Sequence, residues 1–447
     1  MTLEQIQKNK VTMILQFAIP SIIAMVLTSL VNITDGFFVG NYVGTEGLAA
    51  VNLGLPIIYL YLAVGLMIAV GGISIAGRQM GGQLVEESNQ VFRETMVVCI
   101  IVSLFLTTCM FFLLEPVSKM FQVDSLTREY FLDYYRVLIW ELPIMIIITA
   151  FGMFIRGEGN PIFVMLTNVM TVILNIIFDY VFIVVFGKGV AGSAWASLLS
   201  MSIVLLINIF YFIRMAKIFK FGPVSYNGKV LKEIFLNGGS EFIGEMSMCI
   251  SMVAYNFAVI KYAGVDGIAA FTIIGYVSYV FSMIIVGFGQ GIVPMVSFSY
   301  GAREYLLSRQ IRNISMKMII ATAFAVFILM SFASSWYAGL FTSSKSVKDM
   351  VLLGLRIQMS SFAFAGINTI SSFYFTAIGR AKESAVISAS RGLVVLMIAI
   401  AVLPALLGIT GVWFVSLTTE TVTLFFSLFY MRQNARTDGI RGIEYAG

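Results

Sequence analysis

The chain has 447 residues, of which 59% are hydrophobic and only 11% charged, with a mean hydropathy of +0.94. Soluble domains carry roughly 25% charged residues, so composition excludes an ordinary soluble fold. The formal charge is +5 and there is no histidine, which removes histidine general bases, histidine proton relays and histidine metal sites together.

Apolar stretches of about 20 residues, the length that crosses a bilayer as a helix, recur along the chain. Twelve spans are expected, at 13–39, 48–75, 92–114, 131–155, 163–187, 190–213, 234–260, 267–293, 314–336, 350–378, 384–406 and 411–431. The alternating pattern of a membrane barrel is absent, so the fold class is an all-α polytopic membrane bundle. The first stretch is too long for a cleavable signal, lacks a small-residue cleavage pattern and contains Asp35. Arg214 to Lys232 carries Gly222, Pro223 and five basic residues and reads as a linker. The expected organisation is an amino-terminal six-helix lobe at 1–213, a cytoplasmic linker at 214–233, a carboxyl-terminal six-helix lobe at 234–431 and a polar, mobile cytoplasmic tail at 432–447.

The halves repeat each other at an offset of about 220 residues. Tyr42, Gly44, Gly47, Ala49 and Ala50 recur as Tyr262, Gly264, Gly267, Ala269 and Ala270; Gly81, Arg136 and Gly159 recur as Gly301, Arg356 and Gly379. Near the end the register slips by one, so that Gly189, Gly192 and Ser197 meet Gly408, Gly411 and Ser416. Six helices per half return the chain to its starting side, which makes the repeat parallel, related by an axis along the membrane normal. Similar halves in a membrane chain are a common transporter plan. With loops numbered alternately, 20 of the 28 basic residues fall on the side of the N-terminus. The positive-inside rule then puts both termini in the cytoplasm of a multi-pass plasma-membrane protein. The net charge follows from this bias and calls for no nucleic-acid partner.

Cys99, Cys109 and Cys249 lie in predicted helices without close pairing and read as small buried hydrophobes. No Walker-type phosphate loop occurs. Interest therefore falls on ionisable residues within spans, which are expensive there and by default functional: Asp35, Glu141, Asp179, Glu241, Glu245, Arg391 and Glu420.

Asp35 on the first span, Asp179 on the fifth and Ser197 on the sixth share a depth band roughly 6–12 Å below the outer helix ends, at about 1.5 Å per residue. On the fifth span Asn168, Thr171, Asn175, Asp179 and Phe182 follow the helical period, giving a polar face that must look into the lobe. Two carboxylates with Asn175 and Ser197 can trade protons, or hold a hard cation through oxygens; helix-to-helix hydrogen bonding is the structural alternative. A metal role for Asp35 and Asp179 arises only for sodium coupling. On the seventh span Glu241, Glu245, Met248, Met252 and Tyr255 form a second stripe. Acids, thioethers and a ring on one face suit a flat organic cation, against the alternative of ordinary packing near a wet helix end. The twelfth span carries Ser416, Glu420, Thr423 and Ser427 on one face. Glu141 precedes Pro143 and is expected to pair with Arg136, and Arg391 to snorkel to the cytoplasm as a structural residue.

The stretches NITDGFFVGNYVGTEGLAAVNL at 32–53, GEGNP at 157–161 and NIIFDYVFI at 175–183, with FAIPS at 17–21, resemble the MATE family of multidrug and toxic compound extruders, most closely its MepA/DinF-like branch. The resemblance covers almost the whole chain. It implies two six-helix lobes around a central cleft, and export of organic, often cationic and aromatic compounds driven by inward flow of protons or sodium. The family's amino-lobe site of two Asp, an Asn and a hydroxyl matches Asp35, Asn175, Asp179 and Ser197, with Ser where relatives can have Thr. Some relatives place an essential acid on the seventh helix, a role Glu241 or Glu245 could fill. The tenth span offers Ser361, Asn368 and Ser372 but no acid, a departure from relatives that hold a cation in that lobe.

The expectation is thus a monomeric secondary exporter working by alternating access, with a small organic substrate, the lipid bilayer as its surroundings, H⁺ or Na⁺ as coupling ion and no other cofactor. A lipid-linked oligosaccharide flippase of the same superfamily is the nearest alternative, but an anionic pyrophosphate would favour Lys and Arg in the cleft, where the deep charges here are chiefly acidic. A non-transporting receptor or scaffold would need no buried carboxylate pair. An enzyme is not expected: histidine is lacking and no protease motif stands out.

Overall fold

The computed structural model describes residues 2–121 and 123–444, and every regular element among them is helical. A short helix, Leu3–Lys8, capped by Thr2, leads in. The first six spans are α1 (Lys10–Tyr42), α2 (Thr45–Gly81), α3 (Val85–Met120), α4 (Ser125–Leu138 with Leu142–Gly157, bent by 46°), α5 (Pro161–Val185) and α6 (Gly189–Arg214). A single helical run, Gly228–Gly301, follows with 74 residues. At 1.5 Å per residue it would reach about 110 Å, more than three times a hydrocarbon core of about 30 Å. It is broken at Gly264, where φ is 59° and ψ −147°, a conformation in which a Cβ would clash. The run therefore makes two crossings, α7 (228–263) and α8 (265–301). The chain closes with α9 (Tyr305–Phe341), α10 (Lys345–Ala377), α11 (Ala381–Leu407) and α12 (Ile409–Asp438), so that with the run divided at Gly264 and the bent pair taken as one the described residues make twelve spans.

The repeat is visible in the backbone. Gly44 and Gly264, Gly159 and Gly379, Gly189 and Gly408, and the non-glycine pair Gln83 and Arg303 all have positive φ. Partners at the 220- or 219-residue offset thus turn the same way, so α1–α6 and α7–α12 are two copies of one plan. An even number of crossings puts both chain ends on one face of the bundle, the near face.

The lobes meet through glycines, mostly toward the near face. A Cβ on Gly238 of α7 would stand 1.8 Å from the Met67 carbonyl oxygen of α2, and one on Gly71 of α2 2.1 Å from that of Ile234. Gly81 and Gly301 each face the other helix's backbone at 1.9 Å, and Gly287 and Gly291 of α8 press on Ile22 and Phe17 of α1. Arg78 reaches across, its Nη2 2.7 Å from Glu233 Oε1 and its Nη1 donating to the Ala377 carbonyl at 3.2 Å. On this side the lobes are joined by backbone contact and, among the described residues, by the Arg78–Glu233 ion pair.

Two expectations about the connections change. α7 begins at Gly228 rather than 234, and residues 215–227 between the lobes have no helix but are fastened to the amino lobe. Glu158 of the GEGNP motif accepts the backbone N–H groups of Ile218 (2.9 Å) and Phe219 (2.8 Å) and the Tyr211 hydroxyl (3.0 Å), while Asn89 accepts from Lys220 N at 2.9 Å. The polar tail expected to be mobile instead continues the last helix to Glu444. Asn434 and Asp438 are buried, Asn434 Nδ2 donates to Asp438 Oδ2 at 2.7 Å, and Arg309 donates to the Ala435 carbonyl at 3.3 Å.

Candidate functional site

The polar stripe of α5 is set by its start: Asn160 accepts the Phe163 N–H at 3.3 Å and Pro161 occupies the first turn, which fixes the helix entry. The stripe then faces α1 and α6. Thr28 donates to Asn168 at 3.2 Å and Thr34 to Asn175 at 3.3 Å. Asn175 Nδ2 donates to Ser197 Oγ at 3.2 Å, and Ser197 Oγ donates to Asp35 Oδ2 at 3.3 Å. Three helices thus bring Asp35, Asn175, Asp179 and Ser197 together, and all four are buried, Asn175 and Asp179 completely.

The Asp35 and Asp179 carboxyl groups are neighbours. Asp35 Oδ1 and both Asp179 oxygens have no hydrogen-bond partner from the protein, and neither residue forms an ion pair among the described residues. Two buried carboxylates side by side without a cation would repel each other at low dielectric. The arrangement is chemically complete once a proton or a cation joins it. The donor set is all oxygen, which fits a hard cation such as sodium. Asp35 and Asp179 would hold it, with Ser197 and Asn175 beside them. Among the described residues no group of three or more His, Cys, Asp or Glu stands in a metal-binding arrangement, so any such ion would rest on two carboxylates.

Three further residues join this site. Tyr134 and Glu141, both buried, lie within electrostatic reach of Asp35. Ser193, one turn before Ser197, is buried beside Asp179 with its hydroxyl unpartnered. Ser193 and Ser197 are one helical turn apart, a spacing readable in the sequence, whereas the bend in α4 separates Tyr134 from Glu141. Glu141 does not pair with Arg136, which is exposed; the bend in α4 turns the acid inward instead. A π-helical turn, Tyr180–Val185, follows Asp179 directly. Such turns are frequent at functional sites because they leave backbone groups off the regular ladder.

The carboxyl lobe differs. Glu241 and Glu245 lie about one and two turns past Gly238 on α7, beyond the glycine contact. Neither has a cation partner among the described residues. Ser240 Oγ donates to Glu241 Oε1 at 3.5 Å, and Tyr59 of the amino lobe lies within electrostatic reach of Glu245. Met248 is half-buried and Met252 exposed, and Tyr255 stacks on Phe271 with ring centroids 5.3 Å apart.

Arg391 does not snorkel outward. Its Nε and Nη2 donate to Glu420 Oε1 at 3.1 and 2.8 Å, and its Nη1 to the Thr369 hydroxyl. Asn368 donates to Glu420 Oε2 at 2.8 Å and accepts from Ser427 at 2.8 Å. Ser361 and Ser416, on α10 and α12, bond each other at 3.1 Å.

The MatE family profile matches residues 20–181 and again 242–403, once in each half. The multidrug export protein MepA of Staphylococcus saprophyticus subsp. saprophyticus is 24% identical over 412 residues, covering 91% of this chain and 90% of that protein. MepA of Staphylococcus aureus (strain MRSA252) is 23% identical over 411 residues, with 91% and 90% covered. Among solved structures, the outward-facing conformation of a multidrug resistance MATE family transporter of the MOP superfamily superposes with a TM-score of 0.91 at 24% identity over 96% of both chains. A MOP superfamily transporter from Pyrococcus furiosus Vc1, described as having a binding pocket of reverse polarity, gives 0.90 at 24% identity, again over 96% of both.

Proposed function

We propose that this chain, which belongs to the MatE family, exports organic cations across the plasma membrane in exchange for inward-moving protons or sodium ions. The observation that carries the reading is the buried Asp35–Asn175–Asp179–Ser197 cluster, in which three of the four carboxyl oxygens lack protein donors. The near face is the cytoplasmic one, in keeping with the basic bias of its loops. The molecule works as a monomer by alternating access, and the described state is closed toward the cytoplasm.

The cation site and the substrate site act on one equilibrium. Binding of a proton or sodium at Asp35 and Asp179 removes the repulsion between them and favours one facing of the lobes. Binding of a substrate cation at Glu241 and Glu245 favours the other. Each ligand moves the equilibrium only by its differential affinity for the two states. Met248, Met252 and Tyr255 supply adaptable and aromatic contact beside the acids.

The test is efflux of a cationic dye from proteoliposomes under a proton gradient alone and under a sodium gradient alone. Export driven by either supports the reading and names the ion. Absence of export under both, with the protein folded and inserted, would refute coupled transport.

A further inference from the structure

Arg391 is a buried-lobe charge with no counterpart in the other half. At the repeat offset Arg391 meets Thr171, its partner Thr369 meets Thr149, and Glu420 meets Met201. The six-helix plan is built in the amino lobe without this ion pair, so the fold itself does not require it. The arginine sits on a π-helical turn, Ser390–Val394, held against the acid-bearing helix: Ser251 of α7 donates to the Gly392 carbonyl at 3.1 Å, and a Cβ on Gly392 would stand 2.4 Å from Ser247 Cβ. Its side chain keeps 29% exposure while Glu420 keeps 10%, and it lies within electrostatic reach of Glu241.

The guanidinium therefore does two things to the carboxyl-lobe cleft. It neutralises Glu420, whose other oxygen is taken by Asn368. It thereby removes a fixed negative charge from near the place where a substrate cation would sit. Attraction to a fixed charge scales with the charge of the ligand. A neutral ligand does not feel it, and a dication feels it twice as strongly as a monocation.

We propose that Arg391 sets the substrate-charge preference of the carboxyl lobe: by cancelling Glu420 it leaves recognition of positive charge to Glu241 and Glu245, and it withholds the extra attraction that an unpaired Glu420 would give a dication over a monocation. The inference rests on the exporter reading above and adds a specificity-determining residue to it.

The pair has no net charge, so its two halves must act with opposite signs. The probes are ethidium and propidium, which share a phenanthridinium ring and carry one and two positive charges, bound to purified wild type and variants at fixed pH. Arg391→Gln is expected to raise propidium binding relative to ethidium by about ten-fold or more. Glu420→Gln is expected to lower that ratio by a similar factor, and the double variant to bring it back to within about three-fold of wild type. A purely structural brace would weaken both dyes together in all three proteins, and that result overturns the proposal. If Arg391→Gln is not recovered folded, because Glu420 is then left buried without its partner, Glu420→Gln and the double variant decide: equal ratios in the two overturn it. Gradient-driven efflux by the wild type is measured alongside. Its failure removes the exporter reading, whereas normal efflux with an unmoved dye ratio removes only the role of Arg391.

Discussion

The neighbours Gly238 and Gly239 offer a sharp test of how the near face closes. A Cβ on Gly238 would lie 1.8 Å from the Met67 carbonyl oxygen, whereas one on Gly239 meets nothing within 4 Å. Real Cβ contacts stay beyond 3.0 Å, so Gly238→Ala forces α2 and α7 apart by about 1.2 Å or strains both helices. Overpacking of this kind costs about 1–3 kcal/mol. In a state where the lobes have parted on this side the contact is gone and the cost vanishes. The equilibrium between the two facings should therefore move toward the near-face-open state by about 1–3 kcal/mol, or roughly 5- to 150-fold. Gly239→Ala carries the same gain in helix propensity, about 0.5–1 kcal/mol, without the clash, and serves as the matched control. The assay is the distance between spin labels at Leu84 and Leu306, exposed near-face positions on opposite lobes, in a background lacking the native cysteines. Gly238→Ala should populate longer distances and Gly239→Ala should not. An unchanged distribution in a folded Gly238→Ala protein would refute the idea that this glycine contact sets the closure.

Other expectations follow from the amino-lobe cluster, the acid stripe and the linker. Asp35→Asn should abolish gradient-driven export while leaving insertion intact; Asp179→Asn should match it, and the double variant should be little worse than either, as for groups acting as a unit. Export at the wild-type rate by Asp35→Asn in proteoliposomes would make the cluster structural. Glu245→Gln should weaken a cationic dye by about 1–3 kcal/mol, roughly 5- to 150-fold, and a neutral dye of similar shape much less; equal weakening in direct binding removes its charge role. Glu158→Gln should free the 217–219 backbone from its charged acceptor and cost about 1–2 kcal/mol, read as faster proteolysis between Met215 and Asn227 with dye binding retained.

Periodicity and repetition made the fold legible. Long apolar runs gave the spans, and the 220-residue register located the second lobe. The clustering of the amino-lobe residues was legible for the same reason: Asn175 and Asp179 share a helical face, Asp35 and Ser197 share its depth, and polar groups at that depth have nowhere to point but inward. What stayed hidden depended on local bends and on partners far apart in sequence. Glu141 pairs with nothing on its own helix because α4 bends between Leu138 and Leu142. The depth of Arg391 alone would let it snorkel, but Glu420 and Thr369, 29 and 22 residues away, hold it in the lobe. The polar composition of the tail points to solvent, yet Asn434 and Asp438 find each other one turn apart in a buried seam.

The divergence of the lobes is what gives a repeated fold a direction. If both halves carried the same unpaired carboxyl site, the proton or sodium and the organic cation would compete on equal terms in each, and neither lobe would favour a distinct ligand. Here the amino lobe buries two acids beside a hydroxyl and an amide, a compact all-oxygen environment suited to a small ion. The carboxyl lobe spreads its acids along α7 beside Met248, Met252 and Tyr255, and cancels its one deep acid on α12 with Arg391. On the exporter reading proposed above, size and softness would separate the ligands: the compact all-oxygen cluster suits a proton or sodium, and the Met-bearing stripe suits a larger organic cation. On that reading the separation of charges would supply the differential affinity that exchange between two facings requires.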